Sequence, residues 1–63
     1  MSKFIEVKKY LNNDNYNKHY VNVDHIVDIH MWSGNVNIVL STGDTIICID
    51  TLESILYKIE YLK

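Results

Sequence analysis

The chain has 63 residues, a formal net charge of −2 at pH 7 and a single cysteine. This length allows one domain, residues 1–63, which buries only about 60% of the surface of its unfolded chain. A single cysteine excludes the internal disulfides that stabilise many domains of this size, so self-association is the expected source of further stability.

The basic residues narrow the range of partners. All six are lysines, and arginine is absent. Because arginine makes most bidentate contacts to phosphates and base edges, this composition argues against duplex DNA as a partner. No apolar run reaches the roughly 18 residues of a membrane span, and no signal peptide is recognisable. We therefore expect a cytoplasmic protein with no membrane contact. Its Asn-, Ile- and Lys-rich composition is typical of a low-GC bacterium or its phage.

The first half of the chain predicts three strands. Residues 3–11 alternate, with Ile5 and Val7 on one face, and predict the first strand. The Asn-rich segment 12–17 predicts a loop, and a second strand begins near His19. The alternation slips at residues 22–25, which indicates a bend or a single helical turn. A third strand then runs to Ser33 and Gly34, a two-residue hairpin signal.

The second half predicts two more strands and a helix. Residues 35–40 and 45–49 alternate around a turn at residues 42–43. Asp50 or Thr51 can cap the helix, and Asp50 with Glu53 has the spacing of a capping box. One helix face is apolar, and we expect it to pack on the sheet: Leu52, Ile55, Leu56, Ile59 and Leu62. The predicted fold class is α+β, a small antiparallel four-to-five-stranded β-meander closed by one C-terminal α-helix.

The last two strands carry more apolar residues than one core requires. If Ile46 and Cys48 face the helix, Ile47 and Ile49 point the other way, because side chains alternate along a strand. Val39 falls on the same outer side. An exposed apolar patch of this kind marks an interface, so we expect it to join the subunits of a homo-oligomer. The alternative is a register in which the N-terminal strand shields part of the patch.

The predicted hairpin at residues 30–35 is the best candidate for a binding site. It places Trp32 beside a tight turn, with His30, Ser33 and Asn35 available for hydrogen bonds. Tryptophan is enriched in binding hot spots, and an exposed aromatic ring can stack on a nucleobase. The alternative is that Trp32 packs over the rim of a small core.

The helix offers a second candidate contact. Tyr57 and Tyr61 lie four residues apart, nearly opposite the apolar stripe. Tyrosine suits interfaces because it buries a large area and keeps a polar tip. The alternative is two exposed tyrosines with no role in binding.

Residues suited to catalysis or metal binding are sparse. The nearest approach to a cluster comprises His19, His25, His30, Asp24 and Asp28. Their spacing matches no familiar metal motif, so we expect either surface histidines or a partner contact that is sensitive to pH near about 6.5. No serine has the glycines of a nucleophile elbow, and Cys48 lies in an apolar strand, where a thiol is unreactive. We expect no enzymatic activity, no metal and no cofactor.

Spacing over residues 21–62 resembles that of a known family. The residues concerned are Asn22-x3-Ile26-x2-Ile29, then Ile38-x-Leu40-x2-Gly43-x2-Ile46-x-Cys48, then Asp50-Thr51-x3-Ile55. This pattern resembles the FlbD-like flagellar-operon proteins, which are short bacterial proteins. The resemblance implies a strand-rich meander followed by a helix and a small regulatory or interaction role, and it carries over no catalytic residue. The Asn-rich loop, Trp32, Ile47 and Ile49 depart from the pattern.

Together these features predict a non-enzymatic, homo-oligomeric binding module. It would dock on a partner protein through Trp32, Tyr57 and Tyr61, and modulate or inhibit that partner by occupancy. An alternative is a phage-type sequestering protein that holds a small nucleotide-like signal in pockets between subunits, with polar groups around Trp32. Single-stranded nucleic-acid binding is a third candidate.

Overall fold

A computed structural model describes residues 3–12 and 15–62. Its elements are β1 (Phe4–Asn12), β2 (Asn15–Asn22), a 3-10 turn (Val23–His25), β3 (Ile26–Trp32), β4 (Asn35–Leu40), β5 (Thr45–Cys48) and α1 (Leu52–Tyr61). The five strands form one antiparallel sheet, and α1 follows them at the C-terminal end. The predicted α+β fold class is confirmed.

The strand order across the sheet is β2-β1-β5-β4-β3. A β1–β2 hairpin and a β3–β4–β5 meander join where Lys9 of β1 pairs with Cys48 of β5. β2 and β3 are therefore opposite edges, although only a three-residue turn connects them. A flat five-stranded sheet would hold its edges about 19 Å apart, whereas the chain from Asn22 to Ile26 reaches about 14 Å. The sheet must curl so that its edges approach each other at this end.

The core lies on the side of the sheet that α1 covers, which we call the inner face. Eight residues there are buried: Ile5, Val7, Val21, Val36, Ile38, Ile46, Cys48 and Ile55. Ile55 of α1 is fully buried among the strand residues. The predicted turn at Ser33 and Gly34 is confirmed, and both residues have positive φ, +55° and +83°.

The second strand starts earlier than the sequence predicts. β2 begins at Asn15 rather than near His19, and Asn17 and Tyr16 pair with Lys9 and Tyr10 of β1. Backbone pairing with an adjacent strand requires no apolar side chains, so polar residues extend this edge strand. Asn13 and Asp14 of the predicted loop lie outside the described residues.

The helix cap also differs from one of the two predicted arrangements. Thr51 is the N-cap, and its Oγ1 accepts a hydrogen bond from the Ser54 N–H at 3.1 Å. Asp50 does not form the predicted capping box with Glu53. Its Oδ1 accepts instead from the backbone N–H of Lys8 at 2.7 Å, and its Oδ2 lies 3.7 Å from Lys58 Nζ. Asp50 thus ties the start of the helix segment to β1.

One member of the predicted apolar stripe does not pack into the core. Leu52, Ile59 and Leu62 pack against the buried residues, but Leu56 is 47% exposed. Successive helical residues are separated by about 100°, so burying Ile55 at the centre turns Leu56 towards the margin. Leu56 lines a groove beside β3 instead.

Candidate functional site: the outer face of the sheet

The outer face is the side of the sheet opposite α1, and the strand register identifies the residues on it, because paired residues share a face. On the β5–β4–β3 side, Ile47 pairs with Asn37 and Asn37 pairs with His30. On the other side, Tyr10 pairs with Tyr16, and the Lys9–Cys48 pair places Tyr10 beside Ile47. One row of side chains therefore crosses all five strands: Tyr16, Tyr10, Ile47, Asn37 and His30.

The predicted interface residues lie on this face and are partly open to solvent. Ile47 and Ile49 are each 39% exposed, and Val39 is half-buried. The Ile49 N–H donates to the Lys8 C=O at 2.9 Å, so β1 lies beside β5 within the sheet rather than over the patch. In the described part of the chain, no element covers these side chains.

A shallow groove of about 370 Å³ opens at one end of the outer face. It is lined by Tyr10, Trp32, Ser33, Asn35, Asn37 and Ile47. Three of the residues predicted in the hairpin, Trp32, Ser33 and Asn35, therefore lie together. We call this feature the Trp32 groove.

Sequence reasoning missed two residues of the Trp32 groove. Asn37 is only 5% exposed, and its Nδ2 donates to the backbone C=O of Asn35 at 3.2 Å. Tyr10 comes from β1, which joins the meander through the β1–β5 pairing. A polar residue at an outward position of a strand is common, so the sequence gives no signal that Asn37 is buried.

Trp32 itself is 70% exposed. The alternative in which it packs over the rim of the core therefore does not describe the structure. Its position at the end of β3, directly before the positive-φ turn, holds the indole at the edge of the groove.

His30 lies on the outer face but does not line the Trp32 groove. Its Nδ1 is 2.7 Å from Oδ2 of Asp28, and both side chains are about half exposed. His25 Nδ1 lies 3.1 Å from Ser41 Oγ. Among residues 3–12 and 15–62, no three His, Cys, Asp or Glu side chains are grouped so that they could hold a metal ion.

The two tyrosines of the helix form a separate surface. Tyr57 and Tyr61 are 70% and 78% exposed, and their rings stack with centroids 6.4 Å apart. They line a groove of about 270 Å³ that also involves Phe4, Glu6 and Lys58. This groove shares no lining residue with the Trp32 groove, so the hairpin and the helix do not form one site.

The free thiol is placed for packing rather than for chemistry. Cys48 is fully buried on the inner face. Burial, assisted by the negative charge of Asp50, raises the pKa of the Cys48 thiol to about 11, although Lys58 acts in the opposite direction. A thiol with this pKa is protonated at neutral pH and is a poor nucleophile.

No helix within the described ranges is long and apolar enough to cross a membrane. No protein-family model matches the chain, and no curated protein or solved structure matches it at a significant level. The resemblance to the FlbD-like proteins therefore stays a prediction that rests on spacing alone.

Proposed function

We propose that the protein is a non-enzymatic, homo-oligomeric module that assembles through its outer sheet face and acts by occupying a partner protein. One observation carries this proposal. The outer face presents Ile47, Ile49 and Val39 beside exposed aromatic rings, while the only helix described covers the opposite face.

The residue types on the outer face are those that favour association. Tyr10, Tyr16 and Tyr20 are 38%, 44% and 59% exposed, and Trp32 is more exposed still. Tyrosine and tryptophan are enriched among the residues that dominate binding energy. A domain of this size also buries a small core, and association is one of the few ways in which it can gain stability. An apolar, aromatic patch therefore has a physical reason to be covered by another chain.

Binding by occupancy is favoured over catalysis because the reactive groups are either buried or open to water. The Cys48 thiol is buried and has a raised pKa, while Asp28 and His30 pair with each other at a half-exposed site. Neither arrangement provides an enclosed cleft around an activated group. The buried free thiol is also compatible with the reducing cytoplasm, where we propose that the protein acts.

The first test is the native mass of the protein and of Ile47→Lys, measured by native mass spectrometry. Burying the new lysine against a second subunit would leave an unpaired charge at the interface. We therefore expect the variant to form a smaller assembly than the wild-type chain. Tyr57→Lys is the matched control, because it introduces the same charge on the far side of α1. It should retain the full assembly while weakening partner docking at the helix.

Two results would contradict the proposed assembly. The first is a wild-type chain that remains monomeric at concentrations of tens of micromolar. The second is an Ile47→Lys variant that is folded and keeps the full wild-type mass. Circular dichroism of each variant separates loss of assembly from loss of folding.

The Trp32 groove supports a second candidate function, sequestration of a small nucleotide-like signal. It brings an exposed indole together with the polar groups of Ser33 and Asn35 and the nearly buried amide of Asn37. A planar ligand could stack on the ring and bond to these groups. Native mass spectrometry of protein purified gently from its host tests this. A few hundred additional daltons per site, lost in Trp32→Ala, would favour the ligand, whereas a bare chain would leave only protein docking.

A further inference from the structure

The two edges of the sheet differ in how well they are protected from pairing. In the described chain β3 pairs with β4 alone, so the backbone groups along its other side have no strand partner. Natural edge strands are commonly protected by lysine or proline. The opposite edge, β2, carries Lys18 among several asparagines, but β3 contains no lysine, arginine or proline. β3 has Asp28 and a β-bulge between Ile26 and Asp28 at its start, so its regular stretch from Asp28 to Trp32 is the part of this edge that remains open to another strand.

The residues beside the β3 edge are apolar and exposed. Val27 is 64% exposed and Met31 is 51% exposed. Leu56 of α1 faces the same region and lines a groove of about 460 Å³ together with Val27 and Ile29. A strand added at this edge would cover apolar side chains as well as satisfy backbone groups.

The sequence of β3 is complementary to itself in the antiparallel direction. Asp28 and His30 flank Ile29 symmetrically, and the next pair outward is Val27 and Met31. If Ile29 lies opposite the Ile29 of a second copy, Asp28 of each chain lies opposite His30 of the other. Met31 then lies towards Val27, which is the extra residue of the β-bulge between Ile26 and Asp28 and so falls at the end of the regular register. A carboxylate opposite an imidazole that can donate a hydrogen bond is a favourable pair across antiparallel strands.

Neighbouring registers lose this complementarity. Sliding one strand by two residues in one direction places Asp28 opposite the second Asp28. Sliding it by two residues in the other direction places His30 opposite the second His30. The carboxylate pair is repulsive, and the histidine pair places no carboxylate of the second chain opposite either ring, although each ring keeps the Asp28 of its own chain at 2.7 Å. The β-bulge between Ile26 and Asp28 lies outside the central three residues, so it does not interrupt them.

We propose that two copies of this chain pair antiparallel through β3, in a two-fold register centred on Ile29, and so join their two sheets into one. Such a contact is isologous, since each chain contributes the same strand. It uses the backbone of an edge and the side chains of Asp28 and His30, not those of Ile47 and Ile49, so the two contacts can be tested separately. The two contacts together would build an assembly larger than a dimer.

The test uses Asp28→Lys and His30→Asp, each in an Ile47→Lys background that removes the outer-face contact. In Asp28→Lys homodimers the introduced lysine faces His30, and in His30→Asp homodimers the introduced aspartate faces Asp28. We expect each variant alone to dimerise about tenfold more weakly than the parent, because tenfold corresponds to about 1.4 kcal/mol spread over two cross-strand pairs.

Mixing the two variants gives the diagnostic result. In the mixed dimer the introduced lysine faces the introduced aspartate, and the remaining His30 faces the remaining Asp28. Native mass spectrometry should therefore show heterodimer in clear excess over the statistical 1:2:1 distribution. Asp24→Lys, which makes the same charge change in the 3-10 turn outside β3, is the control and should mix statistically with the parent.

The opposite results would overturn the pairing. Statistical mixing of Asp28→Lys with His30→Asp would show that positions 28 and 30 do not face each other. Absence of any dimer in the folded Ile47→Lys parent would also exclude it. The double variant Asp28→Lys/His30→Asp guards against a folding artefact, because its charges are complementary again and its dimer should recover. Failure of the outer-face assembly would appear separately, as an Ile47→Lys mass equal to that of the wild-type chain.

Discussion

The two faces of the sheet carry similar residues but have different surroundings. On β5, Ile46 is 4% exposed, whereas its neighbour Ile47 is 39% exposed. On β4, Ile38 is fully buried and Val39 only half-buried. Hydrophobicity therefore does not decide which residues form the core. The position of α1 decides it, because one helix can cover only one face of a sheet.

This difference makes the outer face informative about function. Side chains on the inner face are explained by the packing of one chain around Ile55. The outer-face residues Ile47 and Ile49 have no such explanation within the described chain, and partial exposure of branched apolar side chains is a net cost in water. A contact with a second chain would remove this cost. Making the same substitution on each face and comparing the loss of stability is therefore the most direct test of this difference.

The largest difference is expected for the same truncation on the two faces. Ile38→Ala removes fully buried atoms and should lower the free energy of unfolding by about 2–5 kcal/mol. Ile47→Ala should lower it by about 1 kcal/mol or less, because the site is partly exposed and can relax. Urea denaturation at concentrations too low for assembly measures both values.

If Ile38→Ala is too unstable to fold, Ile38→Val and Ile47→Val make the same comparison at a smaller scale of about 0.5–1.5 kcal/mol for the buried site. Equal losses at positions 38 and 47 would show that the outer face is packed within the monomer, and would remove the reason for a subunit interface there.

The inner face should also respond to alkaline pH through Cys48. Its pKa is raised from 9.0 to about 11 in the folded chain, so the unfolded chain releases the thiol proton first as pH rises. Stability is therefore unaffected by this group below about pH 9 and falls between about pH 9 and pH 11, by about 1 kcal/mol at pH 10.

Urea denaturation at pH 8, 9 and 10 measures this dependence. Cys48→Val is the control, since it retains an apolar side chain but has no proton to lose. It should show a shallower decline, with the remaining slope due to lysines and tyrosines. Identical slopes for the two proteins would mean that the thiol is not desolvated in the folded chain.

The sequence predicted what depends on local chemistry. The positive-φ turn at Ser33 and Gly34, the Thr51 cap and the alternation that turns Ile47 outward are all encoded within a few residues. The sequence does not predict which distant strands pair with each other. The β1–β5 contact is carried by Lys9 and Cys48, which are far apart in sequence, and it brings Tyr10 to the Trp32 groove.

The same limit explains why the predicted Asp50–Glu53 capping box and one residue of the predicted stripe are wrong. Asp50 accepts a hydrogen bond from the Lys8 N–H, a partner 42 residues away, and so is not free to form a capping box. Leu56 has the right spacing for the core, but its environment depends on which residue α1 centres on the sheet. Periodicity identifies a helix face, whereas the exact buried set follows from tertiary packing.

The smallest effect on stability is expected at Trp32, although the effect on binding should be large. Trp32→Ala should change the free energy of unfolding by less than about 0.5 kcal/mol, because the side chain is 70% exposed. If the proposed ligand or partner contacts the Trp32 groove, loss of the indole should remove it from the wild-type complex, as judged by native mass spectrometry, while Trp32→Phe retains part of it. A large loss of stability in Trp32→Ala would instead make the indole a packing residue. The Trp32 groove would then belong with the inner face as a structural feature, and the contrast between the two faces would apply only to Val39, Ile47 and Ile49.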